Sequence, residues 1–194
     1  MPQFYEYNRL LLEWNAKINL ISRKCVSIED HVLNSVFFLT RMPLSGSESV
    51  ADIGTGGGFP GIPLKIIYPG LRATLIDSIR KKITALGDIV NELGLSDTTA
   101  VCARAEQISG DRNFKNAFDV VTAKAVAPLE MLYDWAKPLV SGKGKMIFIK
   151  GGDTGEEVEK LRKKLGNEKV DEIVFSYNPA YGIKQKKIFV ISKP

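Results

Sequence analysis

The residues most capable of chemistry lie in Val50-Ala51-Asp52-Ile53-Gly54-Thr55-Gly56-Gly57-Gly58-Phe59-Pro60-Gly61-Ile62-Pro63. An apolar run carries an acid, a dense set of glycines follows, and a new apolar-periodic segment begins. This pattern predicts a strand, a tight turn and a helix N-terminus. Bare backbone at such a turn can lie directly against a ligand, and the helix end adds free N–H groups and positive partial charge. A nucleoside-containing cofactor is the ligand that suits it. Two further segments belong to the same chemistry. Thr74-Leu75-Ile76-Asp77 ends in an acid placed to accept from both hydroxyls of a ribose, and Cys102-Ala103-Arg104-Ala105-Glu106 offers main chain or a carboxylate to an adenine edge.

These segments need elements to hold them. Apolar residues at Phe4, Tyr7, Leu11, Trp14 and Ile18 predict an amphipathic helix over about 4–20, and a second helix is expected from Ser27, with Asp30 in a capping-box position, to about Arg41. Pro43-Leu44-Ser45-Gly46-Ser47 reads as a linker. Strands and helices alternate after it, with strands expected at Val50–Ile53, Ala73–Ile76, Ala100–Ala103, Phe118–Ala123 and Lys145–Ile149. Helices are expected at Pro60–Ile67, Ile79–Leu93, Pro128–Leu139 and Glu156–Leu165, and Gly142-Lys143-Gly144 reads as a turn. The chain closes with strands Lys169–Tyr177 and Lys186–Ser192, joined by Asn178-Pro179-Ala180-Tyr181-Gly182. A loop that short holds no crossover helix, so this last pair should be antiparallel. The expected fold is α/β: a doubly wound, Rossmann-like, mostly parallel sheet with a C-terminal antiparallel hairpin and a small N-terminal helical extension. Residues 1–45 form that extension, packed on a main domain over 46–194.

The glycine loop alone leaves the cofactor open. Gly56-Gly57-Gly58-Phe59-Pro60-Gly61 satisfies G-x-G-x-x-G, and Asp77 follows about where a ribose-binding acid should, so a nicotinamide or flavin enzyme has to be weighed. Asp52 argues against it, because a carboxylate beside a pyrophosphate repels it but suits a cation or a ribose hydroxyl. The terminal hairpin also replaces the second mononucleotide-binding half of a dinucleotide fold. S-adenosylmethionine fits better: it carries no phosphate, a sulfonium, an ammonium and a ribose diol.

At 194 residues and a formal charge of +5, the composition is that of one ordinary globular domain with a mild preference for polyanions. Basic residues cluster at Arg23-Lys24, Arg80-Lys81-Lys82, Lys143/Lys145/Lys150, Arg162-Lys163-Lys164 and Lys184/Lys186/Lys187. The third cluster flanks the end of a strand, where α/β ligand sites lie. The fourth reads as a solvated helix face. Cys25 and Cys102 have no ligand spacing, and with a single histidine, His31, no Cys/His metal site is expected. Cys102 reads as a buried thiol, Trp14 as core, and His31 as a brace between the helical extension and the sheet. No apolar run has membrane-spanning length and no signal peptide is evident, so a cytoplasmic location is the expectation.

Several motifs coincide with one family. Trp14-Asn15-Ala16-Lys17-Ile18-Asn19-Leu20 is similar to W-N-x-K-x-N-L, Asp30-His31-Val32-Leu33-Asn34-Ser35 to R-H-x-x-D-S, and Asp52–Pro63 to D-x-G-T-G-x-G-[LF]-P-G-[IL]-P. Leu75-Ile76-Asp77-Ser78, Arg104-Ala105-Glu106 and Phe148-Ile149-Lys150-Gly151 match further segments. The chain resembles the bacterial small-subunit ribosomal RNA methyltransferases of the RsmG (GidB) type, over nearly its whole length. The resemblance implies a class I methyltransferase sheet and methyl transfer from S-adenosylmethionine to N7 of a guanine in a decoding-region loop of 16S rRNA. Its partner would be that RNA, or the small subunit or an assembly intermediate.

The cofactor-binding set expected from motif and resemblance together is Gly54, Gly56, Phe59, Asp77, Ser78, Ala105, Glu106 and Lys124. Lys124, Lys150 and Asn34 are the substrate candidates. Two positions depart from the family pattern: Asn34 stands where an acid is usual, and Lys124 where S-R-A carries arginine, which loses the forked planar donor. Guanine N7 has a lone pair and no proton to remove, so no catalytic acid or base, and no metal, is expected. The alternatives are a same-fold methyltransferase acting on a protein or small molecule, a nicotinamide-dependent oxidoreductase, and a non-catalytic binding module.

Overall fold

The computed structural model describes residues 2–22, 27–165, 168–175 and 186–192. The short β-rich runs pair into one seven-stranded sheet: β1 Ser49–Ile53, β2 Arg72–Asp77, β3 Thr98–Cys102, β4 Phe118–Lys124, β5 Val140–Gly151, β6 Lys169–Phe175 and β7 Lys186–Ser192. The spatial order is β3-β2-β1-β4-β5-β7-β6. β1 to β5 run parallel, while β7 is antiparallel to both β5 and β6. Strand order therefore reverses between β1 and β4, and such a sheet binds its ligand at the carboxyl ends of the strands beside that point.

Helices α1 (Pro2–Lys17), α2 (Glu29–Val36), α3 (Gly61–Ile67) and α4 (Arg80–Glu92) cover one face, and α5 (Ala105–Gly110), α6 (Leu129–Ala136) and α7 (Gly155–Lys164) cover the other. The inward residues of β1 and β4 show why both faces need helices. Ala51, Ile53, Val121 and Ala123 pack with Leu132, Tyr133 and Leu161, whereas Val50 and Val120 pack with Leu64 and Phe38 on the opposite side. A strand buried on both faces reads as a continuous apolar run. Among the described residues, no helix is long and apolar enough to cross a membrane.

The N-terminal helices hold the glycine loop in place. Tyr7, fully buried in the α1 stripe, donates its hydroxyl to Gly57 O at 2.6 Å, and its ring lies 5.5 Å from that of Phe59. Asn15 of the W-N segment ends α1 by accepting from Leu20 N at 2.9 Å and Ile21 N at 3.0 Å. Removing the tyrosine hydroxyl (Tyr7→Phe) leaves a buried carbonyl without its partner and should lower stability by about 1–2 kcal/mol. Urea unfolding measures this, and a change within a few tenths would mean that the hydroxyl does not anchor the loop.

Several elements differ from expectation. Gly142-Lys143-Gly144 is no turn: it lies inside β5, which starts at Val140 and shifts register between Phe118 and Val120. A Cβ on Gly144 would come within 2.7 Å of Asp119 O, so this glycine serves close approach of two strands. The same geometry places Lys143 and Lys145 at the amino end of β5, away from Lys150. The second helix stops at Val36 and continues as a 3-10 turn over Phe37–Thr40, and Ser27 accepts from Glu29 N rather than forming a box with Asp30. Cys102 is half-buried, not buried. Trp14 lies at the margin of the core with Lys17 Nζ 4.7 Å above its ring. Val158 and Leu161 are buried while Arg162 is exposed, so the α7 basic run is a solvated face. Arg23, Lys24, Cys25, Lys184 and the Asn178–Gly182 loop lie outside the described residues.

Candidate functional site

At the carboxyl ends of the strands a cleft opens in two lobes that share Gly54, Gly56, Lys124 and Ala125. The first, about 370 Å³, lies over β1, β2 and β3 and is walled by Ile76, Asp77, Ser78, Ala103, Arg104, Ala105, Glu106, Val126 and Trp135. The second, about 440 Å³, lies over β4 and β5 and is closed by Leu20, Ile21, Asp30, His31 and Asn34 from the N-terminal segment. Each has the size of a small-molecule site.

The glycine loop is shaped from beneath by Asp52. Its Oδ2 accepts from Thr55 Oγ1 at 2.7 Å and Gly61 N at 2.9 Å, and its Oδ1 accepts from Thr122 Oγ1 at 3.1 Å. Burial raises this carboxyl to about 6, against the hydrogen bonds and the Lys124 charge that pull it down. Asp52 is 1% exposed and so cannot accept directly from a ribose hydroxyl. The expected carboxylate open to a cation or a ribose hydroxyl is not found at this position: the side chain turns into the loop, because three protein donors converge on it. Above it, Gly54 has φ 66°, and a Cβ there would lie 2.6 Å from Val126 Cγ1, so this position needs glycine twice over.

Asp77 ends β2 facing the first lobe. Oδ2 accepts from Gly56 N at 3.1 Å and Oδ1 from Ile79 N at 2.9 Å. It thus links the glycine loop to Ile79, the residue that precedes α4. A carboxylate has about four lone-pair sites, and these two bonds leave others for a ligand. Ser78, Ala105 and Glu106 line the same lobe, with Ala105 opening helix α5.

Phe59 and Lys124 meet at the second lobe. Phe59 is buried, with the His31 ring stacked at 5.2 Å and 28° and Lys124 Nζ 4.4 Å from its centroid. Lys124 Nζ also lies 3.5 Å from His31 Nδ1. Burial lowers the Lys124 ammonium to about 8, with Asp52 opposing and Lys186 assisting. Burial also lowers His31, as do Lys124 and Lys186, with Asp30 opposing, so near neutral pH its ring is uncharged and can accept at Nδ1. His31 both braces α2 against the loop and lines the lobe. Phe59 is placed in this second lobe, not beside Asp77, Ala105 and Glu106.

Lys150 is less available than its position in the strand suggests. Its Nζ donates to Ala127 O at 2.9 Å and pairs with Glu157 at 2.9 Å, and Glu157 also accepts from Leu129 N at 2.9 Å. The lysine clasps β5 to the starts of α6 and α7. Asn34 donates to Asp30 O at 2.6 Å and lines the lobe from α2.

A family model described as GidB, rRNA small subunit methyltransferase G, matches residues 1–181. The chain belongs to this family. It is 39% identical over 185 residues to Ribosomal RNA small subunit methyltransferase G of Thermoanaerobacter sp. (strain X514), covering 92% of this chain and 77% of that one. The protein of the same name from Geobacillus sp. (strain WCH70) is 38% identical over 167 residues, with 85% and 70% covered. Among solved structures, a SAM-dependent methyltransferase from Aquifex aeolicus superimposes with a TM-score of 0.60 at 17% identity, covering 82% of this chain and 92% of that one. That likeness concerns the fold, a Rossmann-like methyltransferase sheet.

In this GidB-family chain, three side chains of the site escape a reading by motif. Tyr7 sits in an apolar helical stripe, and its hydroxyl declares no role until it meets Gly57. Trp135 forms an aromatic wall of the first lobe from α6, where its spacing reads as core. Lys186 reaches the second lobe from the far end of the chain. Proximity of a basic residue to a strand boundary was the signal available for Lys186, and the same signal equally marked Lys143 and Lys145.

Proposed function

We propose that this protein transfers a methyl group from S-adenosylmethionine to N7 of a guanine in small-subunit ribosomal RNA. The observation that carries this reading is the pair of lobes meeting at Gly54 and Lys124, one built around an acid and bare glycine backbone, the other lined with lysines. The residues present fit the cofactor. Asp77 keeps acceptor capacity for a ribose diol, Gly54 and Gly56 leave main chain open, and Ala103, Ala105, Val126 and Trp135 supply apolar walls for a purine. When bound, the cofactor supplies an electrophilic methyl group on a sulfonium.

What the chain contributes is position. Asp77, Ser78, Ala105 and Glu106 hold the nucleoside end, and Gly54, Gly56 and Lys124 lie at the junction where the two lobes meet. Phe59 reaches that junction from below, as the ring that supports Lys124. Asn34 and Lys124 face the target base, and Lys150 shapes the lobe through its clasp on Glu157. Residues 1–45 act as the wall that completes the substrate lobe. N7 attacks through an in-plane lone pair, so no residue has to remove a proton, and an arrangement that aligns the reactants and excludes water is sufficient. The protein would work in the cytoplasm, where ribosomal subunits are assembled.

Transfer of a labelled methyl group from S-adenosylmethionine to small ribosomal subunits, with the modified base mapped, tests this reading. The expected product is N7-methylguanine at a single position of the RNA. Label appearing only on ribosomal protein, or no transfer to subunits or naked RNA, would overturn it.

A further inference from the structure

The second lobe contains a cation that no motif assigns. β7 runs antiparallel to β5, so its first residue, Lys186, pairs with Gly151 at the end of β5 where the parallel strands also finish. Gly151 leaves room beside it: a Cβ there would stand 3.0 Å from Lys186 Nζ. Neighbouring lysines are already engaged, Lys150 with Glu157 and Lys187 with Glu172 at 3.3 Å and Thr154 at 3.1 Å. Among the described residues, the half-buried Lys186 has no carboxylate partner. Its charge reaches Lys124 and His31, both of which it makes harder to protonate, while Asp30 is the acid among the described lining residues. A lobe that gathers two ammonium groups around a neutral imidazole concentrates positive potential, which an anion relieves.

Two anions could reach this lobe if the proposed reaction is right: the amino-acid carboxylate of the cofactor and a phosphodiester of the RNA. Position separates them. Lys124 lines both lobes, at the junction where the cofactor's amino-acid end would arrive, whereas Lys186 lines only the second. Lys186 also lies beyond residues 1–181 matched by the family model. We propose that Lys186 binds a backbone phosphate of the target RNA strand, fixing the strand so that the guanine is presented at the Gly54–Lys124 junction. The proposal rests on the RNA-methyltransferase reading. It adds to that reading a positioning contact delivered by the terminal hairpin.

The test compares wild type, Lys186→Ala and Lys186→Arg. Binding to small ribosomal subunits lacking the methyl group is measured across a potassium chloride series, and binding to S-adenosylmethionine by calorimetry. Lys186→Ala should weaken subunit binding roughly five- to tenfold at low salt and reduce the slope of log affinity against log salt by about one, as expected for one lost phosphate contact. Lys186→Arg should restore most of both, and cofactor affinity should stay within about twofold of wild type in each variant. An unchanged salt slope in Lys186→Ala would overturn the proposal. Loss of cofactor affinity in that variant would also overturn it, assigning the lysine to the cofactor carboxylate. Should wild type itself neither bind nor methylate subunits, the functional reading fails and this contact with it, a result distinct from a variant-specific one.

Discussion

Replacing Asp52 with alanine should destabilise the protein by about 2–4 kcal/mol, among the larger effects available from one side chain. The carboxylate accepts from Thr55, Gly61 and Thr122 at a site with 1% exposure. Both hydroxyls can turn to other acceptors, as Thr122 already does toward Ala51 O at 3.3 Å, but the Gly61 N–H cannot. Asparagine is a different case. With its oxygen toward Thr55 and Gly61 and its NH2 toward Thr122, Asp52→Asn keeps the contacts without a buried charge. The pH dependence carries the same information. The folded carboxyl titrates near 6 against an ordinary value of 3.8. A raised value means that the native state binds the proton more tightly, so this contribution is complete below pH 3.8 and is lost as pH rises through 6. The amount is on the order of 3 kcal/mol. Urea unfolding between pH 4 and 7 should therefore show Asp52→Asn at least as stable as wild type near neutrality, with a flatter profile. An alanine variant as stable as wild type at pH 7 would remove the loop-holding role.

Asp77→Ala should weaken S-adenosylmethionine binding by an order of magnitude or more. A charge-assisted hydrogen bond contributes roughly 1.5–3 kcal/mol, and the fold adds a second loss. The same carboxylate holds Gly56 N and Ile79 N, so its removal loosens the glycine loop against α4 as well. Gly54→Ala should do comparable damage by another route, since φ 66° and Val126 both exclude a Cβ. Titration calorimetry reads both, and thermal unfolding of each variant without cofactor separates weakened binding from a weakened fold. Near wild-type affinity in Asp77→Ala, with the fold intact, would take the ribose contact away from this residue.

What was legible in the sequence follows from local physics. Apolar runs bounded by turn residues locate the strands, a 3.6-residue period locates most helices, and the short terminal loop foretells the antiparallel pairing of β6 with β7. The α-helix that the pattern does not reveal, α5 over Ala105–Gly110, is six residues long, too short to show a helical period. The boundary at Gly142–Gly144 failed because glycine serves tight turns and close strand approach equally well.

Site residues divide along the same line. Asp77 could be placed because its function depends on the end of one strand. Asp52, only two residues before the first glycine, was given the wrong surroundings, since the donors it meets include Thr122 from a strand 70 residues away. Lys150 was expected to be free because Glu157 and Ala127 do not reveal themselves as partners until α6 and α7 dock.

By itself the sequence determined the order of βα units, the glycine loop and its acid partner at the end of β2, and the motifs that carry the family likeness. These rest on neighbours within a few residues, where backbone geometry and spacing act directly. Only the tertiary structure decided which charges stay available. It turned Asp52 inward, engaged Lys150, set Lys124 between two lobes and brought Lys186 from β7 to the end of β5. Whether an ionised side chain is consumed or left free depends on partners supplied by strand register and helix docking, and those contacts join residues far apart in the chain.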